Sequence, residues 1–241
     1  MKASWIIARK ELVSFFDALT AYIMLVAFIG FSGFFTWLFG TDIFLRNQAD
    51  LKVFFSIAYW TLFFFIPAIT MRMFAEENRT GTIEVLLTKP VTEWQVVTGK
   101  FLACLLLVCV ALALTLPYYL TVWRLGNIDH GATLTGYFGL LLMSSVYISI
   151  GLYTSSMTSN QIVAFLAALF AGLMFNIIFE VLASNFTGAP GMILHYLSLS
   201  SHYESITRGV IDSKDLIYFL SLMLLFLMAT EMTLTKRKLA Q

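Results

Sequence analysis

The sequence predicts an all-α integral membrane protein with six transmembrane helices, and three observations carry that prediction. Hydrophobic residues make up 59% of the 241-residue chain and charged residues only 12%, with a mean hydropathy of +0.84. A soluble domain is nearer half apolar and about a quarter charged, so these few charges cannot cover a globule of this size. Six apolar runs reach the roughly 20 residues that a helix needs to cross the hydrocarbon core. The charges gather between the runs rather than within them.

The runs are 19–38, 53–71, 101–122, 137–156, 162–183 and 216–234. Lys and Arg sort unevenly between the two sets of flanks. The N-terminus, the 72–100 loop, the 157–161 loop and the C-terminus carry ten, whereas the alternate flanks carry five: Arg46, Lys52, Arg124, Arg208 and Lys214. By the positive-inside rule both termini lie in the cytoplasm and the 184–215 loop lies outside. No signal-type cleavage site follows the first run, so it is expected to remain as a span. One membrane domain is expected to cover residues 1–241.

Residues 1–18 precede the first span. Trp5, Ala8, Leu12, Phe15, Phe16 and Leu19 fall on one helical stripe opposite Lys10, Ser14 and Asp17, while Ile6, Ile7 and Val13 blur it. An interfacial helix and an ordinary lead-in to span one fit equally. Cys104 and Cys109 share one apolar run, five residues apart, and read as small packing residues rather than a disulfide or metal pair.

The 72–93 stretch is dense in punctuation. Glu76, Glu77 and Arg79 end span two on the wet side, and Gly81 breaks the chain. Thr82 to Leu87 then predicts a short helix with Ile83, Leu86 and Leu87 on one face. Pro90 stops it, and Thr92-x-x-Gln95 has capping-box spacing for the helix that leads into span three. A helix this short is marginal alone and needs a partner for its apolar face, either the bundle or another protein.

The string E-E-x-x-x-G-T-I-E-x-L-L-T-x-P over residues 76–90 resembles the cytoplasmic segment of ABC-2 type transporter permeases. Ala49-Asp50-Leu51-Lys52-x-Phe54-Phe55, Ile66-Pro67-Ala68-Ile69-Thr70-Met71-Arg72, Gly99-Lys100-Phe101 and Asn160-Gln161-Ile162-Val163-Ala164-Phe165 extend the likeness across most of the chain. They are similar to gliding-motility-associated permeases, and less closely to those of nitrous-oxide reductase maturation systems. The resemblance implies an ABC-2 (type V exporter-like) fold: an N-terminal interfacial helix, a cytoplasmic coupling helix and an external re-entrant helical hairpin. It implies that Glu76, Glu77, Gly81, Thr82, Glu84, Leu86, Leu87 and Pro90 form the segment that docks on an ATPase, with Leu86 and Leu87 buried and the carboxylates pairing with its cations.

The chain has no G-x-x-x-x-G-K-[ST] and no other Gly-rich phosphate cradle. It is therefore not expected to be an enzyme or to hold a cofactor. The resemblance implies that ATP and Mg are bound by a partner ATPase present in two copies. It further implies a second permease half, an accessory membrane protein with an extracytoplasmic domain, and a bacterial inner-membrane location. The expected mechanism is alternating access, with export the expected direction.

In the outer loop, Pro190-Gly191 turns the chain, Ser201-x-x-Glu204 has capping spacing, and Tyr203, Ile206 and Val210 form an apolar face. Asp212 or Ser213 is positioned to cap span six. A pair of short or re-entrant helices is the main reading, with a simple folded loop as its alternative. Within the spans, Glu180 near Asn176 either lines a pathway or reaches water at the outer interface, and Glu231 is placed to pair with Lys236 or Arg237. Pro67 is expected to kink span two. Phe63, Phe64 and Phe65 surround that helix, so at least one faces lipid. In relatives spans two and five line a cavity, which puts Phe63, Phe64, Phe65, Phe175, Asn176 and Glu180 forward as pathway residues.

Other classes fare worse. Gly30-Phe31-Ser32-Gly33 has the G-x-S-G string of rhomboid proteases, but His130, His195 and His202 all fall outside the spans, and a serine nucleophile needs a base within reach. The string reads better as small residues that allow close helix contact. An ion-coupled transporter needs more buried ionisable groups. A membrane anchor for another complex is a third alternative. A zinc protease lacks its H-E-x-x-H, no metal site is expected, and a net charge of +1 gives no nucleic-acid footprint.

Overall fold

The computed structural model describes residues 2–39, 49–83 and 91–239, and every regular element among them is helical. Six helical stretches are long and apolar enough to cross a membrane: Thr20–Trp37, Lys52–Thr80, Glu93–Leu125, His130–Met157, Gln161–Asn185 and Ser213–Lys238. Each contains or closely matches one of the predicted runs.

Helix α1 (Lys2–Asp17) precedes α2 (Thr20–Trp37), the first span. Leu19 joins them at φ 58°, a left-handed conformation that costs a branched residue energy and makes a sharp corner. The predicted stripe divides in two. Ala8 and Phe15 are buried, and Leu12 and Phe16 pack beside them. Trp5 and Leu19 face outward together with Ile6 and Val13. Of the residues that blur the sequence pattern, Ile6 and Val13 thus lie on a second, outward apolar face, whereas Ile7 packs inward against the core beside Gly99.

Span two is α3 (Lys52–Thr70) followed by α4 (Arg72–Thr80), with Pro67 inside α3. The backbone at the α3–α4 joint is served by another helix. Ser155 Oγ donates to the Met71 carbonyl at 2.8 Å and accepts from the N–H groups of Phe74 and Ala75 at 3.0 Å. Gly81 ends α4 at φ 71°, the left-handed cap that glycine adopts without strain.

Span three begins with α5 (Glu93–Ala113). Its predicted capping box is present: Thr92 Oγ1 accepts from Gln95 N–H, and Gln95 Oε1 accepts from Thr92 N–H. This span is not one rod. It breaks at Leu114–Thr115 and resumes as α6 (Leu116–Leu125), with Pro117 in the first turn where its missing N–H is harmless. Thr115 tightens the break by donating to the Leu112 carbonyl, and it also meets the Tyr137 hydroxyl at 3.1 Å.

Helix α7 (His130–Met157), span four, is the central pillar. Its apolar window is 72% buried, against 22% for spans five and six. It packs on spans two, three, five and six and on the helical hairpin that joins the last two. Small residues allow this approach. A Cβ on Gly136 would meet the Phe55 ring at 2.6 Å, and one on Gly151 would meet Thr70 Cβ at 2.7 Å.

Span five starts as α8 (Gln161–Leu173), capped by Asn160 Oδ1 accepting from Ile162 N–H. It widens into a π-helical turn, Met174–Ile178, and ends as α9 (Phe179–Asn185). Between spans five and six the chain forms a pair of short helices, α10 (Ala189–Leu197) and α11 (Leu199–Thr207), before span six, α12 (Ser213–Leu239). Ser201 does not cap α11. That helix opens two residues earlier, and Ser201 Oγ donates to the carbonyls of Ser198 and His195. Asp212 does precede α12, its carbonyl accepting from Asp215 and Leu216.

The small-residue reading of residues 30–33 holds at one glycine only. A Cβ on Gly33 would strike the Tyr118 hydroxyl at 2.7 Å, whereas Gly30 has open space. The cysteines are free, Cys104 buried and Cys109 half-buried.

Candidate functional site

One end of the bundle collects α1, α4, the start of α5, residues 156–160 and the last turn of α12. Lys100 organises it. Its side chain is 1% exposed, and its ammonium donates to the Met73 carbonyl at 2.7 Å, to Glu77 Oε1 at 2.7 Å and to Glu11 Oε1 at 3.4 Å. It also lies 5.0 Å from the Phe74 ring centroid. A buried ammonium needs such a set of acceptors, because burial without them is costly.

Beside it, Arg237 Nη1 donates to Asn78 Oδ1 at 2.6 Å and Nη2 to the Ser156 carbonyl at 3.0 Å. Asn78 in turn donates to the Thr158 carbonyl at 2.9 Å. Lys238 reaches Glu93 at 2.6 Å. The expected partner of Arg237, Glu231, is replaced by an amide and a carbonyl across the bundle. The effect is to fix both roots of the loop between α4 and α5: Glu77 and Asn78 on one side, Glu93 and Lys100 on the other.

Of the predicted coupling residues, Glu76 is exposed and Gly81 and Thr82 stand at the end of α4, where Thr82 Oγ1 meets Thr80 Oγ1 at 2.9 Å. Glu77 is engaged inside the chain by Lys100 rather than presented outward. Glu84, Leu86, Leu87 and Pro90 lie outside the described residues; of the short helix expected over Thr82 to Leu87 only Thr82 and Ile83 are described, and Ile83 is buried against the bundle.

The opposite end holds a cavity of about 1130 Å³ between the ends of spans two, four and five and the hairpin helix α11. Tyr59, Trp60 and Tyr203 form its aromatic wall, with Tyr59 and Tyr203 ring centroids 4.8 Å apart. Glu180 and Glu204 line it as well, and Ser200 donates to Glu180. Burial pushes the ionisation of the Tyr203 hydroxyl upward, the nearby Tyr59 adding to the effect, so Tyr203 serves as a neutral polar group. Asn176 is 1% exposed and sits in the π turn of span five.

The six proposed pathway residues do not converge. Asn176 and Glu180 line the cavity. Phe63 is interior, edge-on to Tyr147 with centroids 5.5 Å apart, and Phe64 faces outward as the lipid-facing member of the trio. Phe65 is half-buried against the core, and Phe175 packs on Phe179 and Phe226. Tyr59, Trp60, Tyr203 and Glu204 belong to the cavity and were not singled out for it from sequence. Aromatic residues three to four positions before the Phe trio were the available signal.

The hairpin is braced to span six. His202 Nδ1 lies 2.6 Å from Asp215 Oδ1 and Nε2 lies 3.0 Å from the Tyr196 carbonyl, with the imidazole stacked on Tyr218 at 4.1 Å. Tyr218 donates to the Leu197 carbonyl at 2.7 Å. With both ring nitrogens occupied, this histidine is not placed to serve as a base for a serine.

Comparison with known proteins fits this arrangement. A family model described as "ABC-2 family transporter protein" matches residues 42–236. The chain is similar to the probable multidrug ABC transporter permease YbhR of Escherichia coli strain K12, and to the same-named protein of E. coli O157:H7. Each is 25% identical over 147 residues, which are 60% of this chain. The match spans 39% of the length of those relatives.

Proposed function

The chain belongs to the ABC-2 family of transporter proteins, and we propose that it is the membrane-spanning permease subunit of an ATP-driven exporter, powered by a separate ATPase. The observation that carries this reading is the stiff root of the loop between spans two and three. Lys100, Glu77, Asn78 and Arg237 tie α4, α5 and α12 to one another, so a force applied to residues 81–92 passes into three elements at once. A loop with loose roots would dissipate it.

In this reading residues 76–90 face the cytoplasm and dock on the ATPase through Leu86 and Leu87, with Glu76 and Glu84 available at the rim. ATP closes a pair of ATPase subunits, two such segments move with them, and the spans shift as rods to alternate access between the two faces of the inner membrane. The second permease half is a copy of this chain or a related one, and an accessory membrane protein completes the assembly. Both termini are cytoplasmic. The sequence motifs favour a cargo connected with gliding motility, whereas the name of the E. coli relatives favours drugs of several kinds.

The test is co-purification. Leu86→Asp combined with Leu87→Asp is expected to abolish recovery of the ATPase with a permease that still elutes as a monodisperse species. Undiminished recovery would overturn the assignment of that segment.

A further inference from the structure

The cavity beside α11 has chemistry of its own. Asn176 is almost wholly buried at its wall, yet neither its amide oxygen nor its amide nitrogen finds a hydrogen-bond partner among the described residues. The same is true of the Tyr203 hydroxyl. Buried amides in folded proteins are nearly always paired, because an unpaired one forfeits its hydration with nothing in return. The amide sits in a π turn, a local widening often found where a helix serves a ligand.

Among the described residues, the charges around this wall do not cancel. Asp50 lies 3.8 Å from Lys52, and Asp129 is committed to the N–H of Ala132. That leaves Glu180 and Glu204, both within Coulombic reach of the Tyr59 hydroxyl, against Arg208. The remaining balance is acidic, and it stands beside the faces and edges of Tyr59, Trp60 and Tyr203. Aromatic rings with carboxylates behind them attract organic cations, the more so where water is excluded.

We infer that this cavity is a binding site for an amphipathic organic cation. Its aromatic body lies against Tyr59, Trp60 and Tyr203, its positive charge faces Glu180 and Glu204, and a polar group on it meets the Asn176 amide. The site stands on its own geometry. That it serves as a station for exported cargo rests on the permease reading.

The experiment uses the full chain in phosphatidylcholine nanodiscs without ATPase or nucleotide, titrated with ethidium, an aromatic cation bearing amino groups, and read by fluorescence polarisation against empty discs. Saturable binding above the empty-disc background is expected. Glu180→Gln with Glu204→Gln, which changes only exposed side chains, is expected to weaken it about tenfold. Asn176→Leu is expected to weaken it severalfold, and the anionic probe anilinonaphthalene sulfonate is expected to show no saturable signal. Binding no greater than in empty discs, equal affinity in the double variant, or tighter saturation by the anionic probe would overturn the inference. Such a failure leaves the ATPase co-purification result untouched, and loss of ATPase docking leaves ethidium binding untouched, so the two readings fail separately.

Discussion

Lys100 holds its ammonium 2.7 Å from Glu77 Oε1, joining the base of span three to the end of span two with Glu11 of the first helix as a third member. The lysine is buried while both carboxylates keep partial contact with solvent. The pair is therefore asymmetric: the ammonium depends on the carboxylates more than they depend on it.

Lys100→Ala should cost about 2–3 kcal/mol, at or just below the usual range for breaking a buried pair, because the carboxylates it abandons can partly rehydrate. Thermal unfolding of the detergent-solubilised protein checks this. Lys100→Met combined with Glu77→Gln should recover at least half of the lost Tm, since it removes the unpaired charge as well as the pair. An unchanged Tm in Lys100→Ala would show that the cluster contributes nothing.

The brace between His202 and Asp215 makes a separate prediction. His202→Ala strips the buried Asp215 of its partner and opens the contact with Tyr218, at a cost of about 3 kcal/mol. The loosening should be local. Hydrogen exchange is expected to accelerate across residues 189–207 while α5 and α7 stay protected. Tyr218→Phe, which loses one hydrogen bond to the Leu197 carbonyl, should cost about 1 kcal/mol.

The contact between spans two and four rests on Gly151. Any side chain there runs into Thr70, on the turn that includes Pro67. Gly151→Val is expected to push the spans apart and lower the Tm by several degrees, whereas Gly30→Val, which enters open space, should leave it unchanged. Equal effects at the two positions would contradict the packing described for the pillar.

Most of the architecture was legible in the sequence because it follows from local rules. Hydrophobic length located the six spans, and Gly81 and Thr92 marked their ends, but the chain turns at Gly188 with φ 79°, and Pro190 with Gly191 opens α10 instead of turning the chain. Elements that depend on distant partners were not legible. The break at Leu114–Thr115 is held by Tyr137, 22 residues away, so an unbroken apolar run concealed it. The π turn at Met174–Ile178 carries no proline or glycine to announce it. Spacing within span six offered Glu231 as a partner for Arg237, while the folded chain supplies Asn78 from 159 residues away. The cavity was half legible. Asn176 and Glu180 stood out as polar residues in an apolar span, but Tyr203 and Glu204 reach them only through the docking of the hairpin.

A cytosolic ATPase can reach the tied loop roots only if they face the cytoplasmic side of the membrane. Single cysteines at Thr82 and at Glu204, in a chain with Cys104 and Cys109 replaced by alanine, can be labelled with a membrane-impermeant maleimide in intact spheroplasts and again after lysis. The cysteine at position 204 should react in intact spheroplasts, and the one at position 82 only after lysis. Reaction at position 82 before lysis would put the loop outside, beyond the reach of any cytosolic ATPase, and would contradict the account.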